Sequence, residues 1–343
     1  MKLTLFINPE HRPGDDLGER FAEHAEQVRV AQQAGFDGVV MGHHLSHGAA
    51  VWFPPLVTLA RLAADAEGMA IGTCMLVLPL FNPVHVAEEA ALLDVLSGGR
   101  LILGVAPGWR RAEYHAAGVD YDRRIGRFVE SVTLIRQLWT QEGVDFAGEH
   151  FQVANLTLAL KPIQSPRPRF WFGGSTARAV ERAARLADPA VGDTWVPSSH
   201  LTHDVIAAQA AVFRQALAAA GKPFPRELPV LRNIVVGPDR ETAIREAGPY
   251  LEASYRVFGQ WGLFTQVAGA QKDQLDLPEL LADRVVIGGP EECAAELARL
   301  ARDVGFGRLV CRVQWMGMPQ RLVLRTIGLL AERVLPLVAG EVA

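Results

Sequence analysis

Short apolar runs alternate with amphipathic stretches along most of the chain. Residues 3–7 form an apolar run of strand length, and the apolar positions after it recur at steps of three and four, as on one face of a helix. The predicted strands are 3–7, 36–41, 69–78, 101–105, 169–172, 191–196, 228–236 and 308–313. Helices or helical faces are predicted at 17–35, 55–66, 84–96, 125–139, 177–187, 205–220, 241–255, 291–304 and 323–337.

Strands that alternate with helices indicate right-handed crossovers and a parallel sheet. Eight such units in 343 residues predict a (β/α)8 TIM barrel that forms a single domain over residues 1–343. The pattern is interrupted after strand 4, where residues 144–160 alternate like a hairpin, and after strand 7, where residues 256–284 fit no period. An open doubly wound sheet is the alternative, but no GxGxxG motif follows the first strand, so we predict the barrel.

The charge and composition of the chain exclude some classes of binding partner. The net charge is −4 and no run of lysine or arginine stands out, so we expect neither nucleic acid nor a membrane surface as a partner. The apolar runs are too short to span a bilayer, and the N-terminal run is too short for a signal peptide. Cys74, Cys293 and Cys311 show no CxxC spacing, which favours a reducing, cytoplasmic location.

The segment after the fifth predicted strand has the composition of an anion site. Gly173 and Gly174 permit close approach of a ligand, and Ser175 and Thr176 add hydroxyls at the start of a helix. Free N–H groups and the helix dipole at that position favour a phosphate. A plain glycine turn with an N-cap is the alternative, and Arg178 is either an added positive charge or a solvated surface residue.

Histidines follow the second predicted strand, in the segment GHHLSHG. His43 and His44 are adjacent, so on an extended segment only one of them faces the barrel axis. Neither HxH nor HExxH spacing is present, and we expect no metal site. A general acid–base or hydrogen-bonding function fits a histidine at a strand end, and a structural function fits equally well.

Long stretches of the chain resemble one enzyme family, the luciferase-like flavin-dependent monooxygenases, whose superfamily includes F420-dependent reductases. The matching stretches are AQQAGFDGVVMGHH, IGTCMLVLPLFNPVHVAEEAALLDVLSGGRLILGVAPGW, KPIQSPRPRFWFGGSTARAVERAARLAD and GGPEECAAELARLARDVGFGRLV. They occur in the family's order and, with the final helix, span nearly all of residues 1–338. The resemblance implies the same barrel that the strand–helix pattern predicts.

The resemblance also implies roles for individual residues. His43 and His44 match the family's histidine pair near the reactive edge of the flavin, with His43 the better acid–base candidate. Residues 73–75 match a segment that holds a non-proline cis peptide in many members. The implied cofactor-binding residues are Thr73, Cys74, Ala106, Gly108, Trp109, Gly173, Gly174, Ser175 and Thr176.

Two departures from the family's pattern argue against luciferase activity itself. Gly42 stands where luciferase-type members often have an acidic residue, and Ala106 and Pro107 replace a reactive cysteine and an arginine. The stretch VWFPP at residues 51–55 and the interruption at 256–284 are expected to shape the substrate pocket. Large aromatic residues there and at position 315 predict an apolar, aromatic pocket, although ordinary core packing also accounts for each ring. They are Trp52, Phe53, Trp261, Phe264 and Trp315.

The function that the resemblance implies is an FMN-dependent monooxygenase of the two-component type. A separate reductase would supply reduced FMN, and the enzyme would use O2 to oxidise a small apolar organic substrate. An F420-dependent oxidoreductase that transfers a hydride on the same barrel is the first alternative. A non-catalytic flavin-binding subunit is the second. Barrels of this family commonly dimerise through their early helices, so we expect a homodimer.

Overall fold

The computed structural model describes residues 1–45, 50–263 and 276–342. Its main feature is a curled sheet in which every paired strand is parallel to its neighbours. The strands are β1 (Lys2–Ile7), β2 (Gly38–Met41), β3 (Ala70–Thr73), β4 (Leu101–Ala106), β5 (Arg169–Gly173), β6 (Thr194–Val196), β7 (Pro229–Val236), β8 (Val285–Gly288) and β9 (Arg308–Arg312). The short strand Leu76–Val77 also pairs with β4.

The strand order follows the chain around the curl. Hydrogen-bonded neighbours run β6-β5-β4-β3-β2-β1-β9-β7-β8. Strands β6 and β7 approach each other, with Cα atoms within 8 Å, but the described residues show no ladder between them. The structure therefore has an α/β fold with a parallel sheet that curls through most of a barrel.

Helices cover the convex face of the sheet. They are α1 (Leu17–Gln33), α2 (Pro55–Leu62), α3 (Pro83–Leu96), α4 (Arg111–Ala116), α5 (Arg124–Thr140), α6 (Ala177–Leu186), α7 (His203–Ala219), α8 (Arg240–Gln260), α9 (Leu277–Asp283), α10 (Pro290–Val304), α11 (Gln320–Leu329) and α12 (Leu335–Val342), with a π-helical turn at Leu330–Val334. Within the described ranges, no helix combines the length and apolarity needed to cross a bilayer.

The buried apolar side chains form two hydrophobic clusters, one on each face of the curled sheet. The larger cluster lies between the sheet and the helices. The smaller one fills the concave face with one side chain from or beside each of eight strands: Phe6, Val40, Cys74, Ile102, Trp171, Val196, Leu231 and Val310. Alternate residues of a strand point to opposite faces, so both faces of every strand are buried. The carboxyl ends of the strands consequently meet above this inner cluster.

Most predicted elements are confirmed, and the differences lie near the two interruptions. Residues 144–160 contain the antiparallel strands Val144–Ala147 and Gln152–Leu156, as predicted. The predicted strand 69–78 is divided into β3 and Leu76–Val77. Strand β8 was not predicted, because its four residues follow a stretch without periodicity. Among the described residues it pairs with the C-terminal half of β7 alone.

Candidate active site

The carboxyl ends of the strands surround a cavity of about 530 Å³. Ten of the predicted site residues line it: His43, His44, Cys74, Ala106, Gly108, Trp109, Gly173, Gly174, Ser175 and Thr176. Thr73 is the exception, because it is fully buried and its hydroxyl donates to the carbonyl of Gly104 at 2.6 Å. The structure thus brings the predicted candidates from four strand ends to one cavity. His47 lies outside the described residues.

The segment after β3 has the predicted backbone form. The peptide bond between Cys74 and Met75 is cis, which confirms the expectation for residues 73–75. Both residues line the cavity. Burial raises the pKa of the Cys74 thiol to about 12, so this side chain remains protonated and uncharged.

The turn after β4 requires glycine at one position. Gly108 has φ +69°, and a Cβ atom there would lie 2.5 Å from Cγ1 of Val77. The hydroxyl of Tyr114 donates to the carbonyl of Pro107 and fixes the start of the turn. Trp109 then lines the cavity, with its ring nearly perpendicular to that of His44 at a centroid distance of 6.2 Å. The turn therefore presents backbone and an indole ring to a ligand.

The loop after β5 is held from the outer side of the sheet. The indole N–H of Trp195 donates to the carbonyl of Gly174 at 2.9 Å, and Nε2 of Gln209 donates to the carbonyl of Ser175 at 2.7 Å. Neither Trp195 nor Gln209 lines the cavity, so these two carbonyls are satisfied away from it. Thr176 is the N-cap of α6, and the first N–H groups of a helix have no partner within the helix. The loop thus offers N–H groups to the cavity.

Three arginines that surround this loop complete a basic region. Arg124, Arg178 and Arg182 all line the cavity. Burial lowers the pKa of Arg182, and repulsion from Arg185 and Arg124 lowers it further. Guanidinium groups are well suited to bind phosphate, with which they form charge-assisted, often bidentate hydrogen bonds. The residues present therefore fit the phosphate of a cofactor, and the anion-site hypothesis is favoured over a plain glycine turn.

His44 forms a close pair with a carboxylate that sequence analysis missed. Nδ1 of His44 lies 2.7 Å from Oε1 of Glu113, which also accepts from the N–H of Leu45 at 3.1 Å. Burial opposes ionisation of Glu113, but His44, the Leu45 N–H and Arg110 together hold its pKa below the ordinary value. A carboxylate only accepts, so Nδ1 of His44 carries a proton and Nε2 is available as a base.

His43 has a different environment. The backbone N–H of Val77 donates to its Nδ1 at 3.4 Å, which places the proton of the neutral ring on Nε2. Burial, with a contribution from neighbouring His44, lowers the pKa of His43 to about 4. The ring is therefore neutral at pH 7, where Nε2–H is a hydrogen-bond donor. The two adjacent histidines both line the cavity but thus differ in protonation chemistry.

The predicted aromatic pocket is only partly present. Trp52 lines the cavity. Phe53 instead packs on His11, at a ring distance of 4.5 Å, and Trp315 is fully buried in the core. Trp261 stacks under the guanidinium of Arg110 at 4.2 Å beside the cavity. Phe264 lies outside the described residues.

Comparison with known proteins agrees with this architecture. The family model described as luciferase-like monooxygenase matches residues 1–307. The chain belongs to the luciferase-like monooxygenase family.

Its relatives within the family differ in cofactor. The chain is 26% identical over 265 residues to the oxygenase component of a flavin-dependent trigonelline monooxygenase from Acinetobacter baylyi, covering 76% of this chain and 72% of the relative. It is 27% identical to an F420-dependent glucose-6-phosphate dehydrogenase from Nakamurella multipartita, with 92% of each chain covered. The crystal structure of monooxygenase RslO1 from Streptomyces bottropensis superposes with a TM-score of 0.85 at 25% identity, covering 98% of this chain and 99% of that one.

This luciferase-like enzyme is therefore an oxidoreductase of the flavin or deazaflavin class. The cavity also contains polar groups that sequence analysis did not select, among them Asn8, His200 and Arg312. A signal was present for two of them. Arg312 is a charged residue at the end of the apolar run of β9, and Asn8 follows β1 directly. His200 and Glu113 carry no such signal, because only the folded chain brings His200 to the cavity and Glu113 to His44.

Proposed function

We propose that this luciferase-like enzyme is an FMN-dependent monooxygenase that receives reduced FMN from a separate reductase and oxidises a small organic substrate with O2. The observation that carries the proposal is that one cavity is lined by the loop of residues 173–176 with three arginines and by His44, whose Nδ1 lies 2.7 Å from the buried carboxylate of Glu113. A bound reduced flavin supplies the electrons that activate O2. The chain's own residues bind the cofactor, enclose the site and control protons.

The phosphate end of the cavity supports FMN. The loop of residues 173–176 would hold the phosphate at the start of α6, and Arg124, Arg178 and Arg182 would neutralise its charge. A phosphate monoester is close to a dianion at neutral pH, and several guanidinium groups suit that charge. Ala106, Gly108 and Trp109 would border the cofactor on the side of β4.

The histidine pair supports proton transfer during oxygenation. We assign the general base function to His44, because Glu113 holds its Nδ1–H and leaves Nε2 to accept a proton. His43 is neutral, and its Nδ1 accepts from the N–H of Val77, so its proton is on Nε2. This Nε2–H would donate a hydrogen bond to a ligand in the cavity. This assignment differs from the one that the family resemblance implied, in which His43 was the better acid–base candidate.

Hydride transfer with F420 is the second candidate, because the F420-dependent relative aligns over 92% of each chain. The oxygenase-component relative, whose name describes it as flavin-dependent, favours a flavin and a two-component arrangement. A non-catalytic flavin-binding subunit gains no support, since the relatives are enzymes and the His44–Glu113 pair is intact.

The proposal also includes the architecture, the location and the oligomeric state expected from the sequence. We infer a single-domain, closed (β/α)8 barrel with insertions after strands 4 and 7, located in the cytoplasm. A homodimer is supported by exposed apolar side chains on α2 and α3, namely Val57, Leu92, Val95 and Leu96. Light scattering on the wild type and on Leu96→Glu tests the dimer, which should dissociate in the variant.

The cofactor is tested by anaerobic titration of the purified chain with reduced FMN and, separately, with reduced F420. We expect reduced FMN to bind at least about tenfold more tightly, a difference of roughly 1.4 kcal/mol. The FMN-loaded protein should then consume O2 rapidly when air is admitted. Tighter binding of F420, together with reduction or oxidation of an alcohol without O2, would establish the second candidate instead.

A further inference from the structure

The cavity has a second polar region, away from the phosphate loop, on the wall formed by β1, β7 and β9. Asn8 follows β1, Arg312 ends β9, and both line the cavity. Arg312 is only 5% exposed. The rings of Phe6, Phe258 and Trp315 surround its guanidinium carbon at 5.5 to 5.9 Å. A cation thus faces the cavity from aromatic surroundings.

The guanidinium of Arg312 has donors that the described protein atoms leave unused. Nη2 donates to Oδ1 of Asn8 at 3.3 Å, while Nε has no hydrogen-bond partner among the described residues. Nη2 also lies 3.7 Å from Oε2 of Glu10, which is beyond hydrogen-bond distance. A buried guanidinium is stable when its charge and its N–H groups are matched, and here the match is incomplete.

Glu10 is a weak counter-ion for Arg312. It is 1% exposed, and neither of its carboxyl oxygens accepts a hydrogen bond within the described part of the chain. Burial raises the pKa of Glu10 more than the charges of Arg312 and His44 lower it. A ligand carboxylate in direct contact with Arg312 would satisfy the guanidinium better than Glu10 does.

His200 contributes a neutral donor near Arg312. Nδ2 of Asn233 donates to the hydroxyl oxygen of Tyr255 at 2.5 Å, and that oxygen lies 3.2 Å from Nδ1 of His200. The tyrosine hydrogen is then directed to Nδ1, so the proton of the imidazole is on Nε2. Burial, followed by the charge of Arg312, lowers the pKa of His200 to about 3. The ring is therefore neutral, with Nε2–H to offer to the cavity it lines.

We propose that Arg312, assisted by His200, binds the carboxylate of an organic acid substrate. A carboxylate presents two coplanar oxygens that fit the fork of a guanidinium, and the neighbouring rings accommodate an apolar body. The reaction carried out on this substrate is the monooxygenation proposed above, on which the inference rests. The inferred substrates are monocarboxylic acids with an apolar or aromatic skeleton.

The test uses matched pairs of ligands on the full-length protein without cofactor. A panel of aliphatic and aromatic monocarboxylates is compared with the corresponding amides by thermal shift, followed by calorimetric titration. At least one acid should bind about tenfold or more tightly than its amide. The double variant Glu10→Gln/Arg312→Gln, which removes both charges, should lose that preference. Glu10→Gln alone should strengthen acid binding several-fold, because it removes the competing anion.

Arg308→Gln is the matched control. Arg308 is also buried on β9, but at the opposite end, where it pairs with Glu227 at 3.0 Å. Its loss should lower stability and leave the preference for acids unchanged. Circular dichroism checks folding, and Arg312→Lys, which retains charge without the fork, should give intermediate affinity if the double variant does not fold.

Three results would overturn the proposal: no acid bound better than its amide, an unchanged preference without Arg312, or weaker acid binding in Glu10→Gln. The titrations contain no flavin and measure no turnover. Acid binding that persists in a chain unable to bind reduced FMN would therefore refute the monooxygenase function and leave the carboxylate site standing.

Discussion

Nδ1 of His44 lies 2.7 Å from Oε1 of Glu113, and this carboxylate is almost completely buried. The pair joins the end of β2 to the short helix α4, which begins just after the turn that carries Trp109. A histidine on a short strand end is thereby fixed in one tautomer by a residue from another loop. The acid–base chemistry that we propose for the cavity therefore depends on both segments.

Glu113→Gln should lower turnover by about 10²-fold while reduced FMN binds within a few-fold of the wild-type affinity. The amide occupies the same space and can still accept from the N–H of Leu45, but it stabilises an imidazolium far less than a carboxylate does. Stopped-flow reoxidation of the FMN-loaded protein measures the effect. Wild-type rates in this variant would show that Glu113 has only a structural function.

His43 and His44 should respond differently to the same substitution. His43→Gln keeps a side-chain N–H donor, so we expect turnover within about tenfold of wild type. His44→Gln removes the base, and turnover should fall by about 10²- to 10⁴-fold. Parallel assays of the two variants decide the assignment. The opposite ranking would restore His43 as the acid–base residue.

Arg182→Gln should weaken FMN binding by about tenfold or more, because it removes one of the charges proposed to face the phosphate. Riboflavin, which has no phosphate, should bind the variant and the wild type equally. Arg185→Gln is the control, since Arg185 lies on α6 but does not line the cavity. Equal losses for FMN and riboflavin would place the phosphate elsewhere. Arg182 is a better probe than Gly174, where a Cβ atom would lie 2.9 Å from Cβ of Ala179 and disturb α6 itself.

Acid should destabilise the fold through buried histidines. The ring of His24 lies 5.0 Å from that of His11, and burial lowers their pKa values to about 3 and about 4. The unfolded chain takes up protons below about pH 6.5, while these folded rings do not. Stability is therefore present above pH 6.5 and lost as the pH falls toward 4, by about 2 kcal/mol per histidine at pH 5.

The variant His24→Phe isolates this effect. Between pH 7 and pH 5, the free energy of unfolding of this variant should fall by about 2 kcal/mol less than that of the wild type. His115→Gln, at an exposed position on α4, should keep the wild-type slope. Denaturant titrations at the two pH values provide the comparison. Identical slopes for His24→Phe and wild type would contradict the prediction.

The sequence pattern predicted the fold best for strands whose residues are all buried. The eight predicted strands are all present, because strands buried on both faces appear as uniform apolar runs whatever they contact. Strand β8 escaped prediction, since four residues after an aperiodic stretch carry too little signal and only pairing with β7 defines them.

The predicted cavity residues were those that follow strands directly, because parallel topology alone brings strand ends together. The residues that set the protonation of Nδ1 in His44 and His200 do not follow strands but lie on helices. Glu113 lies on α4, and Tyr255 lies on α8. Their distances to His44 and His200 are products of tertiary packing, which no local pattern encodes. For the same reason, the sequence could not show that Trp315 is core and that Trp52 faces the cavity.

Because Trp195 and Gln209 donate to the carbonyls of Gly174 and Ser175 from outside the cavity, the proposed cofactor site and the proposed substrate site depend on different parts of the fold. The former depends on β5, β6, α6 and α7, and the latter on residues on or directly after β1, β7 and β9. Directed evolution can therefore vary positions 198–200, 231, 258 and 312 to alter substrate preference. Libraries that spare residues 173–176, 195 and 209 should retain cofactor affinity in most members.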